Sequence, residues 1–481
     1  MMCSLLSLRA LRITAKSVLV AASLVMASTG AYAQESGSDS GPSRAVSIVP
    51  RVSVIETLTD NVGLTHAGQQ AEQITEIRPG IHISSEGRRL KGYFDYSLSK
   101  IGYAQNSSPS QLQQALNTSG TLEAVDNWAY LDFSGSISQQ AISAFGTQSI
   151  GNTSINANRA EVSSYRISPY VRGRLGDLAN YEARYSRAGT NSDAAAGSGA
   201  STADGVVKIN GDSTFRNLGW SADASQQTIN YSAGRPTADD RLNLGLSYAI
   251  TPQLRVSAKA GREANNYTSF DKKSYGTSGF GVNWALSEMT RLSASRDHHS
   301  FGDTHRLSFE HRTARTVWKF TDSKDILVTT GIGGIAGLGS IYDLLYSQFA
   351  SLEPNPTARA QLVNAYLQAN GISPNVVAIS SFLPAAVSLE RRQDLLFALL
   401  GVRDTLTFIA TRSESSRLDT LSTAVDDLSN SSLVRQRGFS VNYTHRLTPD
   451  YSLGALASQQ NTSGVSSLHP PQELPAPAVQ P

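Results

Sequence analysis

Residues 241–263 read RLNLGLSYAITPQLRVSAKAGRE. Leu242, Leu244, Leu246, Tyr248 and Ile250 fall on every second position. After Thr251, Pro252 and Gln253, the same step resumes at Leu254, Val256, Ala258 and Ala260. Between them stand Arg241, Asn243, Gly245, Ser247, Arg255, Ser257, Lys259 and Gly261. Successive side chains of a strand point to opposite faces, so this stretch predicts a hairpin with one greasy face and one face of cations and small polar groups. Any antiparallel sheet with one wet side shows such alternation. Its recurrence is what narrows the choice.

The pattern returns at Ile77, Pro79, Ile81 and Ile83, and again at Phe94, Tyr96 and Leu98. It returns at Tyr165 to Leu175, at Phe280 to Leu286, at Leu395 to Leu399 and at Phe439 to Tyr443. Short turns (GDLA, TPQ, SEMT, GVRD, TPD) alternate with longer polar stretches such as AGTNSDAAAGSGASTADG. Short turns at one end and long loops at the other are the habit of bacterial outer-membrane barrels. If every short turn lies on one side, rising strands begin near Val46, Leu90, Trp128, Leu178, Thr228, Leu254, Arg291, Thr316, Asp404 and Tyr451. Descending strands begin near Gln73, Thr121, Glu161, Thr214, Asp239, Ser274, His305, Val387 and Ser432. The expected total is roughly 16–20 strands.

The first residues fix the compartment. Arg9, Arg12 and Lys16 precede the short apolar run SVLVAASLVMASTG, and Ala31-Tyr32-Ala33 fits a small-x-small cleavage site. Residues 1–33 read as a signal peptide. The only cysteine, Cys3, lies within it, so disulfide frameworks and thiolate metal sites are excluded from the processed chain. With 41 Lys+Arg against 39 Asp+Glu, there is no basic surplus of the kind a nucleic-acid partner requires.

No water reaches hydrocarbon, and an unpaired amide there costs several kcal/mol, so strands cross a bilayer only as a closed sheet. The expected fold is therefore all-β, a transmembrane antiparallel up-and-down β-barrel at 46–461 in a Gram-negative outer membrane. A flexible segment at 34–45 precedes it. A helical insert is expected at 322–386, where Ile341, Leu344, Leu345, Phe349 and Leu352 have helical spacing. It would act as a plug or external lid. A disordered, proline-rich tail follows at 462–481.

SISQQAISAFG, RISPYVRGRLG, LGLSYAITPQLRVSAKAGREANNY, FEHRTARTVWKF and LLFALLGVRDTLTF, in this order and spacing, resemble the PEP-CTERM system-associated outer-membrane β-barrel family. The resemblance covers roughly Val46 to Ala457. It implies an outer-membrane barrel linked to exopolysaccharide and exosortase-type surface systems, and it supplies no catalytic residues. The departure comes at the end. Such barrels finish on a strand with a terminal aromatic, whereas SSLHPPQELPAPAVQP places Pro470, Pro471, Pro475, Pro477 and Pro481 there. Proline lacks the donor a central strand needs, so the usual last strand is expected to be missing.

The expected lumen-facing residues are Arg166, Arg172, Arg174, Glu182, Arg184, Arg255, Lys259 and Arg262. They would tune selectivity or simply pair with lumenal acids and keep the interior wet. The stretch DHHSFGDTH offers Asp297, His298, His299, Ser300, Asp303 and His305. His298 and His305 are competent metal ligands, and a Ser-His-acid hydrolase is conceivable only if the residues converge in space. The leading expectation is no enzyme, no cofactor and no metal: a porin-like pore or conduit for exopolysaccharide or another surface polymer. Its partners would be outer-membrane lipid and polysaccharide or export components. The alternatives are a non-conducting scaffold barrel and an outer-membrane lipid or polysaccharide hydrolase.

Overall fold

The computed structural model describes residues 46–65, 67–149, 152–194, 199–212, 217–327, 359, 363, 384–448 and 451–466. Nearly all of the expected insert at 322–386 lies outside the described residues, as do the signal peptide, the segment at 34–45 and the end of the tail. Nineteen strands form one antiparallel sheet, β1(Val46–Thr59) to β19(Ser452–Ser466). The only described helix in this order is α1(Asp427–Asn430), ahead of β18. No described helix is long and apolar enough to cross a membrane.

Each strand pairs with the next in sequence, from β1–β2 through β18–β19. The sheet is thus an up-and-down meander. Among the described residues no ladder joins β1 to β19, and the first five residues of β1 are exposed. Sixteen strands begin within about three residues of the expected positions. The other three start about ten residues or more early: β4(Gln111–Val125), β8(Ala200–Asp212) and β9(Leu218–Tyr231). Much of AGTNSDAAAGSGASTADG is therefore ladder, with Thr190 opposite Ala200 and Ala188 opposite Thr202. At the other end of the chain, β19 runs to Ser466, past the expected start of the tail.

The two faces differ in a way that decides their solvent. Along β10(Thr237–Ala249), exposed and half-buried residues alternate from Arg241 onward. The exposed ones are the apolar set, with Leu242 54%, Leu244 61% and Leu246 57% accessible. Phe280, Trp284, Leu399, Phe439 and Tyr443 are likewise exposed. The sheltered face carries Ser, Thr, Asn, Gln and charged groups, with buried apolar residues such as Val317, Leu396 and Ile409 among them. In β17(Asp404–Arg417) the buried positions include Thr405, Thr407, Thr411, Ser413 and Ser415. A water-soluble sheet has the opposite polarity, burying its apolar side. Small residues let outward rings lie flat on the wall. A Cβ on Gly120 would come within 2.6 Å of the Phe133 ring, and one on Gly189 within 2.6 Å of the Tyr165 ring.

The sheet curls toward its polar face. Ala200, Ile229 and Tyr231 form one apolar cluster with Val387, against which Leu418 packs, although β8 and β17 lie nine strands apart in sequence order. The Ser143 hydroxyl donates to Asp427 at 2.8 Å, joining the connection between β5(Ala129–Ala141) and β6(Arg159–Leu175) to α1. These contacts all gather at the end that bears the longer loops.

Candidate functional site

The sheltered face is the surface on which polar chemistry converges. Seven of the eight expected lumenal residues lie on it. Arg166, Arg172 and Arg174 share parity with buried Ser168 and Tyr170 in β6(Arg159–Leu175). Arg172 stands opposite Glu182, and Tyr170 opposite Arg184, in β7(Ala179–Ser192). Arg255 and Lys259 face the same way, opposite Ala249 and Gly245. Arg262 does not. It stands opposite Leu242 and is exposed, so it lies on the apolar side. Counting in twos from Leu254 reaches Arg262, and near the end of β11(Leu254–Asn265) an arginine on that side sits beyond the greasy stretch.

Most of these cations are paired. Arg184 donates to Asp132 at 2.7 Å and to Glu182 at 3.0 Å, and its guanidinium lies 3.8 Å over the Tyr170 ring. Tyr170 stacks on Tyr130 at 5.1 Å, and Arg172 caps Tyr130 at 4.3 Å. Stacking of this kind holds an arginine in place while leaving its donors free for polar partners. Arg166 sits 3.6 Å from Asp204, Lys259 3.0 Å from Asp297, and Arg174 4.0 Å from Asp177 beside a short turn.

The densest group spans β10 to β15(Thr316–Leu327). The Glu263 side chain is fully enclosed. It accepts from the Ser300 amide at 2.6 Å, lies 2.7 Å from His299 Nδ1, and sits 3.8 Å from the Arg241 guanidinium. Arg241 also pairs with Asp239. Below them a cavity of about 220 Å³ is lined by Arg241, Asn243, Lys259, Asp297, His299 and Asp325, with threonine and serine hydroxyls between. That volume holds a few waters or one small hydroxylated group. Asp239 Oδ1 and Asp297 Oδ1 are buried and without a hydrogen-bond partner, so the wall keeps acceptor capacity. Carboxylates outnumber cations here, which suits hydrated cations and hydroxyl donors.

The histidine-rich stretch splits across the wall. Ser300 and Phe301 alone separate β13(Thr290–His299) from β14(Gly302–Arg312). His299 turns inward to Glu263, whereas His298 turns outward to Asp303 at 2.8 Å and His305 to Asp322 at 3.1 Å. No cluster of three metal-ligating side chains occurs among the described residues. The Ser300 hydroxyl accepts from Asn265 at 3.0 Å, and no hydrogen bond joins it to His305 among those residues.

Above the cavity, loops meet over the curled sheet. Arg235 is their common partner. It donates to Asp419 at 2.9 Å, to the Ser269 carbonyl at 3.2 Å, to the Tyr267 carbonyl at 2.9 Å and to the Asn266 carbonyl. Burial pushes the pKa of the Tyr267 hydroxyl upward, with Asp239 adding to the shift. Burial also raises Asp427, opposed by hydrogen bonds from the Ala144 amide and the Ser143 hydroxyl. Both groups sit in the cap rather than in the strands.

No family model matches the chain, and no curated protein does. Among solved structures it is similar to the FrpB iron transporter (F5-1 variant) of Neisseria meningitidis, at 9% identity and a TM-score of 0.39, over 86% of this chain and 81% of that one. It is similar too to the siderophore receptor PirA of Pseudomonas aeruginosa, at 10% identity and a TM-score of 0.38, over 89% and 77%. A third is BauA, the ferric preacinetobactin receptor of Acinetobacter baumannii, at 9% and 0.36, over 88% and 73%. The class of fold rests on this chain's own ladder: a 19-stranded antiparallel meander, apolar outside and polar within.

Proposed function

We propose that the chain, after loss of residues 1–33, spans the Gram-negative outer membrane as a β-barrel and works as a pore or conduit. The cargo we infer is exopolysaccharide or another surface polymer, in the company of export components, as the family resemblance implies. One observation carries the membrane reading: a face of exposed leucine, phenylalanine and tryptophan backed by a face of hydroxyls and ion pairs. Leu242 to Ile250 covers about 27 Å along the strand, or roughly 20 Å of thickness at the usual tilt, close to the apolar band of such barrels. The hydrated inner wall, with its cavity at Lys259 and Asp297, supports passage of polar solutes.

Planar-bilayer recording tests this reading. The refolded full chain is expected to give discrete conductance steps, and Lys259→Glu to shift the reversal potential toward cation selectivity. A folded, inserted sample with no conductance contradicts the pore. The second reading is a non-conducting scaffold barrel, and the loops tied together by Arg235 over the polar face favour it. Silence in the bilayer would select it.

A further inference from the structure

The outward face is not apolar to the same height everywhere. From the short-turn end, β10 presents Ile250 just beyond its last residue and then Tyr248, Leu246, Leu244 and Leu242. Counted the same way, β16(Ser388–Leu400) presents Leu399, Phe397, Leu395, Gln393 and Arg391. Polar character begins two outward positions sooner, about 13 Å along the strand. The neighbours agree in register. Phe320, Leu395, Ala410 and Phe439 form one row; Asp322, Gln393, Arg412 and Arg437 form the next; Lys324, Arg391, Glu414 and Arg435 form the one above.

These two upper rows hold five cations against two carboxylates. Arg391 pairs with Asp322 at 3.0 Å, and Glu414 is shared between Arg412 at 2.8 Å and Arg435 at 3.5 Å. Arg437 is exposed and forms no ion pair among the described residues. It stands directly opposite Arg412, and like charges facing each other across a ladder are destabilising. An anion between them removes that cost. Arginine's planar fork matches phosphate oxygens two at a time. Directly beneath lies the apolar row of Phe320, Leu395 and Phe439, then Trp318 tilted against Phe397 at 4.3 Å. Cations immediately over hydrocarbon and rings, in one plane, match an amphiphile with a phosphorylated head and acyl tails.

We propose that the outward face of β15–β18(Ser431–Arg446) binds a phosphorylated lipid of the outer leaflet through Arg391, Arg412, Arg435 and Arg437. This rests on the membrane reading above. The test uses the full chain in phosphatidylcholine nanodiscs titrated with a diphosphorylated, acylated glucosamine disaccharide, with the same lipid lacking phosphates, and with inorganic phosphate. Retention of lipid is read by native mass spectrometry. The diphosphorylated lipid is expected to bind, the dephosphorylated one weakly, and inorganic phosphate not to compete at millimolar concentration. R412Q/R437Q is expected to lower affinity at least about ten-fold, since each loses a charge-assisted contact. Because it removes two facing like charges, it should keep the heat-modifiable gel shift of the folded chain.

Equal binding of the lipid without phosphates, or an unchanged affinity in R412Q/R437Q, overturns the proposal. Full competition by inorganic phosphate assigns the patch to free phosphate instead. A stoichiometric protein that copurifies with the parent chain and is lost only in the double variant assigns it to a protein partner. A chain that never enters the nanodisc defeats the membrane reading and this proposal together, whereas an inserted chain indifferent to phosphate defeats this one alone.

Discussion

Arginine in place of Leu246 is expected to cost roughly 2–4 kcal/mol of folding stability in a bilayer, the penalty for that side chain near the midplane of an outer-membrane barrel. Leu246 is the middle of the five outward apolar residues from Leu242 to Ile250, and it is 57% exposed. The neighbouring substitution Ser247→Arg is the informative partner. Ser247 faces inward, opposite Ser257, where a guanidinium meets water. It is expected to change stability by less than about 0.5 kcal/mol, the ordinary range for a solvated site. Urea titration of vesicle-inserted protein, followed by the heat-modifiable gel shift, measures both. Equal losses, or a larger loss at Ser247, would mean that the apolar side is not in lipid.

The second large effect is expected at Glu263. Its carboxylate is fully enclosed, with the Ser300 amide at 2.6 Å and His299 Nδ1 at 2.7 Å. Glu263→Ala leaves those donors without an acceptor and deprives Arg241 of one of its two carboxylates. A loss of about 3 kcal/mol is expected, in the range for breaking one side of a buried charged network. Glu263→Gln keeps the side-chain volume and one acceptor oxygen, and is expected to recover about half of that loss. The same urea titration reads both variants. If Glu263→Ala costs under about 1 kcal/mol, the group is solvated and the wall there is looser than its geometry indicates.

The sequence reveals the fold through parity. Leu242 to Ile250, the TPQ turn and Leu254 to Ala260 define a hairpin and assign its faces without any knowledge of partners, because the strand period of two is local. The same rule places Arg255 and Lys259 inward, and followed one step further it places Arg262 outward. Grouping Arg262 with the inward cations followed charge where position decides. The missed start of β8 has a different cause. Beyond the greasy stretch a ladder needs no apolar outward residue, so Ala200 to Asp204 can pair fully with Tyr231 to Gln227 while its composition reads as loop. Strand extensions made of Ser, Thr, Ala and Gly leave no hydropathy signal.

The site was legible in kind but not in arrangement. Inward cations were visible as residues, yet their partners are set by register. Glu263 meets His299 across an intervening strand, and no local spacing announces a pair 36 residues apart. The basic rows around Arg412 and Arg437 were equally hidden, since they form only when four strands align.

The most direct measurement is a cysteine scan along β10. Because the only native cysteine is Cys3, single cysteines at positions 242 to 250 give an unambiguous signal in a chain expressed without residues 1–33. With each labelled by a small fluorophore in vesicles, the account predicts a period of two. Labels at Leu242, Leu244, Leu246 and Tyr248 should be quenched by brominated acyl chains, and those at Asn243, Gly245, Ser247 and Ala249 by aqueous iodide. Uniform aqueous quenching along the whole strand, or labelled protein that stays in solution when vesicles are pelleted, would contradict it.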